Sequence, residues 1–242
     1  MIRDGRPGFK LLDIANPLEC RVVERVNRFV VEVSCARHKR RAYLNNTGRL
    51  YQFLVRDRKG YCLRWQGSRK TDLRLFAVEE AGLGAIVDTQ LQMQAFEKAL
   101  EAGRIPWLEG CRMLRRNARL GTSLIDYLLE CDGRNVYLEV KSAVLREGSY
   151  AMYPDCPSER GRRHIRELTG HVQAGGEALI VFIAALPDVK AFKPNMPADP
   201  KLCELLLGAQ RAGVRVKSLA MAYHPDGASI RLHHPDLPVD LS

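Results

Sequence analysis

The sequence lacks a long apolar run. Its longest, ALIVFIAAL at 178–186, has nine residues and stops at Pro187, far short of the roughly 20 that a membrane-spanning helix needs, so it predicts a buried strand. MIRDGRPGFKLLDIANPL carries early charges and no apolar block before a small-residue site, so it does not read as a signal peptide. No Cys-x-x-Cys pair occurs among the seven cysteines at 20, 35, 62, 111, 131, 156 and 203. That argues against a zinc site or a disulfide framework, and a reducing cytoplasm is the simplest setting. Each cysteine is expected to be a small apolar core residue rather than a nucleophile. Internal repeats and low-complexity stretches are absent too.

Acidic residues are scarce in one place. The chain of 242 residues has a net charge of +10, and between Ala36 and Arg74 twelve Lys or Arg stand against only Asp57 and Asp72, so twelve minus two equals the whole excess. A single-sign field of this kind attracts polyanions, the alternative being a solvated basic face without a ligand. Arg37, Lys39, Arg40, Arg41, Arg49, Arg69 and Lys70 are the candidates for gripping nucleic acid. With 46% apolar residues there is material for one large or two small cores, and two domains are the starting expectation.

The first third predicts short strands, RVVERVNRFVVEV, RAYL, RLYQFLV, YCLRWQ, LRLFAV and GAIV, punctuated by Asn45-Asn46-Thr47-Gly48, Lys59-Gly60 and Gly82. Such a series without a convincing helix predicts a small barrel. Tyr43, Tyr51, Phe53, Tyr61 and Trp65 are interleaved with its cations, where they either stack bases or fill the core. The texture changes near residues 82–88: DTQLQMQAFEKALEAG has helical periodicity, a capping Asp or Thr, and Gly103 at its end. Two strands, SLIDYLLEC and NVYLEVKSAVL, follow around the Asp132-Gly133 turn. Next come a helix opening near Ser158, the ALIVFIAAL strand, a helix beginning at Pro200, and the strand VRVKSLAMAY. The expected division is a basic barrel over 1–84 and an α/β domain over 85–242, α+β overall.

Glu139 and Lys141 are two apart in a strand and so share a face. Asp126 lies among apolar neighbours in the preceding strand, where a lone carboxylate is costly unless it meets a cation or donor. Their numbers place Asp126 and Glu139 nearly opposite each other across the turn. Two carboxylates there can hold Mg2+ or Mn2+ through oxygen, with Lys141 orienting water or stabilising charge on a phosphodiester under attack. The alternative is a cross-strand salt bridge. Asp155, then SERGRRHIREL with Glu159, Arg160, Arg163, His164 and Arg166, predicts a helix start attractive to phosphate, or else a solvated amphipathic helix.

The motifs NNTGR, RKT, ALEAGRIPWL, SLIDYLL, LEVKSAVL, YPDCPSERGRRHIREL and FKPNMPADP occur in an order that resembles the sugar fermentation stimulation proteins, the SfsA family. The resemblance runs from about residue 20 to 225. It implies an OB-fold-like β-barrel followed by a restriction-endonuclease-like PD-(D/E)xK domain, and DNA-binding proteins with a proposed regulatory role in sugar metabolism. By residue match, Asp126, Glu139 and Lys141 take the nuclease-like positions. Asp155, Glu159, Arg160 and His164 match a second signature, with Arg160 and His164 as expected nucleic-acid contacts, and Asn46, Thr47 and Gly48 match a signature in the barrel. The chain departs from the family pattern at Asn117, where a Glu is usual, and at Leu124, where an Arg is usual. Glu101, in the first helix of the second domain, is a candidate further acidic ligand.

Overall fold

The computed structural model describes residues 8–36, 38–68 and 71–241, so the calls on Arg37, Arg69 and Lys70 lie outside the described residues. The described residues divide into two compact units, one within 8–99 with 185–188 and 220–235, the other within 100–184 with 189–219 and 236–241. Along the chain the first unit takes, beyond its opening segment, 185–188 and 220–235, which include a C-terminal hairpin.

The first unit opens with β1 (Phe9–Asp13), β2 (Leu18–Asn27), β3 (Val30–Cys35), β4 (His38–Tyr43), β5 (Lys59–Ser68), β6 (Thr71–Glu80) and β7 (Leu83–Ile86). The order β4-β3-β2-β5-β6 closes on itself, because β4 also pairs parallel with β6 at Ala42 and Leu73. Closure yields a five-stranded OB-like barrel and leaves neither β4 nor β6 as a bare edge. Val22, Val31, Val33, Ala42, Leu73 and Leu75 fill its interior.

Two strand expectations change. RVVERVNRFVVEV is a hairpin, β2 and β3, turning at Arg28-Phe29. RLYQFLV is a compact turn: Leu50 has φ +53 and its carbonyl accepts the N–H groups of Phe53 and Leu54 at 2.9 Å. Burying Leu50 and Phe53 while exposing Tyr51 breaks the alternation a strand requires.

Helix α1 (Thr89–Glu101) follows. Asp88 caps it, accepting the Leu91 N–H at 3.0 Å, and is paired with buried Arg74. Burial of that ion pair is tolerable because the cap and the fork-shaped guanidinium satisfy both carboxylate oxygens.

The second unit contains β8 (Cys111–Leu120), β9 (Ser123–Cys131), β10 (Arg134–Ser142), β11 (Arg146–Glu147), β12 (Tyr150–Tyr153), α2 (Glu159–Gln173), β13 (Glu177–Ala184), β14 (Ala191–Pro194) and α3 (Pro200–Arg211). β15 (Arg215–His224) is divided between the units after Leu219, and β16 (Ser229–His234) pairs with β15 and β1 in the first unit. In the second unit β13, β10, β9 and β8 lie side by side, with β10 and β13 parallel and the others antiparallel. The crossover from β10 to β13 carries β11, β12 and α2. Ala178 through Ala184 are all buried in β13, as a strand covered on both faces requires.

Where no disulfide was expected, Cys111 and Cys131 form one, joining directly opposed residues of β8 and β9. No helix among the described residues is long and apolar enough to cross a membrane.

Candidate active site and nucleic-acid surface

The β9–β10 ladder pairs Tyr137 with Leu128 and Leu138 with Tyr127. Beyond that point side chains replace the backbone ladder. Asp126 Oδ2 accepts the Val140 N–H at 2.8 Å, and Glu139 Oε2 accepts the Asp126 N–H at 3.3 Å. The two carboxylates therefore meet where the strands part, as their positions around the turn predict.

Glu139 and Lys141 are only 2% and 9% exposed. Glu139 Oε1 accepts from Lys141 Nζ at 2.5 Å and lies 2.6 Å from His164 Nδ1. Arg160 Nε, which can only donate, lies 3.4 Å from His164 Nε2. That assigns the proton of a neutral His164 to Nδ1, from which it is donated to Glu139. A line of donors thus runs from Arg160 through His164 to Glu139. His164 is 1% exposed, so the expected phosphate contact there is replaced by an internal one. Arg160 keeps an exposed position.

The carboxylates are pushed apart in acidity. Burial raises Asp126 to about 6, assisted by the charge of Glu139 and opposed by Lys141 and the Val140 N–H. Burial would raise Glu139 as well, but the Lys141 ammonium and the His164 hydrogen bond outweigh it and hold Glu139 at about 2. Lys141 moves upward despite its own burial, because Glu139 stabilises its charge. At neutral pH the group holds an ion pair, Glu139 with Lys141, beside a carboxylate that is costly to keep charged.

Helix α2 is fixed at both ends of this arrangement. Ser158 caps it through the Gly161 N–H at 3.0 Å. A Cβ on Gly161 would lie 2.9 Å from both Ser158 Oγ and Tyr153 Oη, so a side chain here would have to displace the capping hydroxyl or the phenol. Asp199 caps α3 through the Leu202 N–H at 3.1 Å, accepts the Ser158 N–H at 2.9 Å and the Arg162 Nε–H at 3.2 Å, and so ties the starts of α2 and α3 together. Further along α2, Glu167 accepts from Thr122 and from the Ser123 N–H, seating the helix against β9 three residues before Asp126. Asp155 is half-buried in the loop before α2, and Asn195 holds that loop through the Pro154 carbonyl at 2.8 Å. Glu159 is exposed and pairs with Arg162 at 2.7 Å.

Asp126 and Glu139 offer carboxylate oxygens to a hard cation, but among the described residues no group of three His, Cys, Asp or Glu forms a metal cluster. Glu101 is exposed at the end of α1 and does not complete one. Asn117 is exposed with φ +51, a left-handed position that a short amide tolerates, and Leu124 is 54% exposed.

On the barrel, Arg41 and Arg49 are exposed. Lys39 pairs with Glu32 at 2.8 Å, and Arg40 donates from Nε to Asp72 at 2.9 Å. Of the aromatics, Phe53 and Tyr61 are core, whereas Tyr51 is 60% exposed. Tyr43 and Trp65 stack at 5.4 Å, with the Arg74 guanidinium 5.3 Å from the Trp65 ring centre. Asn46 is a brace: its amide donates to the Val87 carbonyl and accepts the Gly48 N–H, both at 2.9 Å. Thr47 is exposed beside it. Arg25, not singled out in the sequence, binds the same loop through the Gly48 and Arg49 carbonyls at 2.6 and 2.7 Å. No local spacing marks this role of Arg25, because its partners in that loop lie more than 20 residues away.

Comparison with known proteins matches two family models: the SfsA N-terminal OB domain over residues 23–87 and the sugar fermentation stimulation protein RE domain over residues 90–227. A sugar fermentation stimulation protein homolog of Pyrococcus furiosus is 48% identical over 221 residues, 91% of this chain and 96% of that one. The homolog of Archaeoglobus fulgidus is 45% identical over 230 residues, 95% and 99% of the two chains. A solved structure of Pyrococcus furiosus SfsA in complex with Ca2+ is similar with a TM-score of 0.92 and 46% identity, covering 96% of this chain and 99% of that one.

Proposed function

Since the chain belongs to the sugar fermentation stimulation protein family, we propose that it is a cytoplasmic protein that binds nucleic acid, DNA in the first instance, and that its second unit carries a nuclease-like, divalent-metal-dependent phosphodiesterase site. The observation that carries this reading is the meeting of Asp126, Glu139 and Lys141 at the point where β9 and β10 part. Asp126, Glu139 and Lys141 act as the catalytic group, and Asp126 and Glu139 as ligands of Mg2+ or Mn2+. The donor set fits such an ion: a hard cation takes one or two carboxylates and fills its remaining positions with water and phosphate. The Pyrococcus furiosus relative was solved with Ca2+, a cation of the same oxygen-preferring class. When bound, the ion supplies Lewis acidity and an acidified water.

The rest falls to this chain's own side chains. Lys141, held charged by Glu139, stabilises negative charge developing on a phosphate brought to this face. His164 and Arg160 hold Glu139 in one orientation. On the barrel, Lys39, Arg40, Arg41 and Arg49 grip the backbone, with Tyr43 and Trp65 as a stacking surface. Incubation of DNA and RNA with Mg2+ or Mn2+ tests the reading: Glu139→Ala and Lys141→Ala should each abolish cleavage, and cleavage that survives both changes refutes it.

A second reading, a DNA-binding regulator of sugar metabolism genes that retains the fold without cleaving, is favoured by exposed Asn117 and Leu124 at the positions where the chain departs from the family pattern. It expects tight, salt-dependent binding with no cleavage under any divalent cation.

A further inference from the structure

Three cysteines of the barrel converge on adjacent strands. Cys20 in β2 stands opposite Gly60 in β5, and Leu18 opposite Cys62, so Cys20 and Cys62 are diagonal neighbours. A Cβ on Gly60 would lie 3.2 Å from Cys20 Sγ. The absent side chain leaves room for that sulfur, and the Cys20 and Cys62 sulfurs are 3.5 Å apart. On the other side of β2, Arg21 pairs with Ser34 of β3. Cys35, the next residue along β3, continues that register to a place beside Cys20 on the neighbouring strand. Cys20 and Cys62 are buried and Cys35 is half-buried. Cys20 also lines an open cavity of about 280 Å3, together with Glu19, Arg21, Ser34, Ala36 and Lys59.

A single buried cysteine needs no explanation beyond packing. Three on adjacent strands with Cys20 in the middle, one of them half-exposed and another on a cavity wall, supply the parts of thiol exchange: a sulfur open to oxidant, a neighbour to attack it, and a third to take over the bond. Among the described residues no three His, Cys, Asp or Glu are arranged to hold a metal ion, which sets the cluster apart from a thiolate metal centre.

We propose that Cys35, Cys20 and Cys62 form a peroxide-oxidised thiol relay that ends in a Cys20–Cys62 disulfide. Hydrogen peroxide transfers one oxygen to the Cys35 sulfur, giving a sulfenic acid and water. The Cys20 sulfur attacks that sulfur, and hydroxide leaves with the Cys20 proton as a second water. The Cys62 sulfur then attacks Cys20; the Cys20–Cys35 bond breaks, and Cys35 departs as a thiolate that regains the proton lost by Cys62. Two thiols and one peroxide become one disulfide and two waters, and Cys35 is reset. The resulting bond joins β2 to β5 across the barrel wall.

The test is peroxide treatment of the full chain under native conditions, followed by thiol counting and non-reducing peptide mapping by mass spectrometry. The expected result is the loss of two thiols, a Cys20–Cys62 linked peptide, and Cys35 recovered reduced. Cys62→Ser should accumulate the Cys20–Cys35 intermediate, and Cys35→Ser should slow formation of the final bond severalfold. The relay is overturned if, in the unaltered chain, Cys35 advances to sulfinic acid while Cys20 and Cys62 remain thiols, or if the only new disulfides join separate molecules. The unaltered chain decides the matter even where a variant fails to fold.

Discussion

The two units use charge in opposite ways. On the barrel, Arg41, Arg49, Arg56 and Arg64 stand in solvent, and acidic partners such as Glu32 and Asp72 meet the cations at the surface. In the second unit Glu139, Lys141 and His164 are enclosed, and each contact fixes the next. Exposed cations of one sign act over a Debye length, about 8 Å at physiological salt, and tolerate movement of the partner. Enclosed groups act at contact and require one geometry. The difference teaches that removing a surface cation of the barrel should alter affinity alone, whereas removing one group of the enclosed cluster should alter the fold and its chemistry together.

The strongest challenge to that contrast is Glu139→Ala. It strands the Lys141 ammonium in the interior and should cost about 3–5 kcal/mol in a denaturant melt, along with any cleavage; a loss no larger than at an exposed position would erase the distinction. Next is His233, in the first unit. Burial, with the neighbouring His224, lowers it from 6.5 to about 4. A depressed folded value means the stabilisation is present above 6.5 and is lost as pH falls toward 4. The chain should therefore melt more easily at pH 4 than at pH 7, and His233→Gln should remove part of that difference, a part kept small by the solvent exposure of the ring.

Asp126→Asn should work in the opposite direction from Glu139→Ala. Asp126 is raised to about 6 by burial and by Glu139, so its folding contribution is present below the unfolded value and lost as pH rises through 6. A neutral amide keeps an oxygen for the Val140 N–H and should stabilise the chain by about 1–3 kcal/mol at pH 8, while ending metal-dependent cleavage; calorimetry and a cleavage assay on one preparation separate the two effects. The smallest change in stability belongs to Arg41→Ala with Arg49→Ala, each within about 0.5 kcal/mol. Their effect should appear instead in DNA affinity, whose dependence on log salt should flatten by about one unit per phosphate contact removed.

Much of the second unit was legible in the sequence because its signals are local. Asp132-Gly133 sets the β9–β10 register that brings Asp126 to Glu139, and Ser158 and Asp199-Pro200 mark two helix starts. β8 was not, because it is largely exposed and rich in arginine, CRMLRRNARL, with its partner strand on one side only. The Cys111–Cys131 bond was not legible either, since cysteine spacing does not reveal pairing. The part played by His164 depends on a strand residue 25 positions away. No helical pattern distinguishes an inward histidine that holds a carboxylate from one that faces a ligand.

Asp199 carries a consequence for anyone who screens variants of this chain by activity. It holds the starts of α2 and α3 through Ser158, Arg162 and Leu202, and α2 carries the histidine that orients Glu139. A change at 199 would therefore score among the most damaging in such a screen and invite assignment to the chemistry, although its side chain bonds none of the three groups proposed to react. Rescue would be found at neighbouring helix starts, and a genetic map of function drawn without coordinates would place this residue in the wrong category.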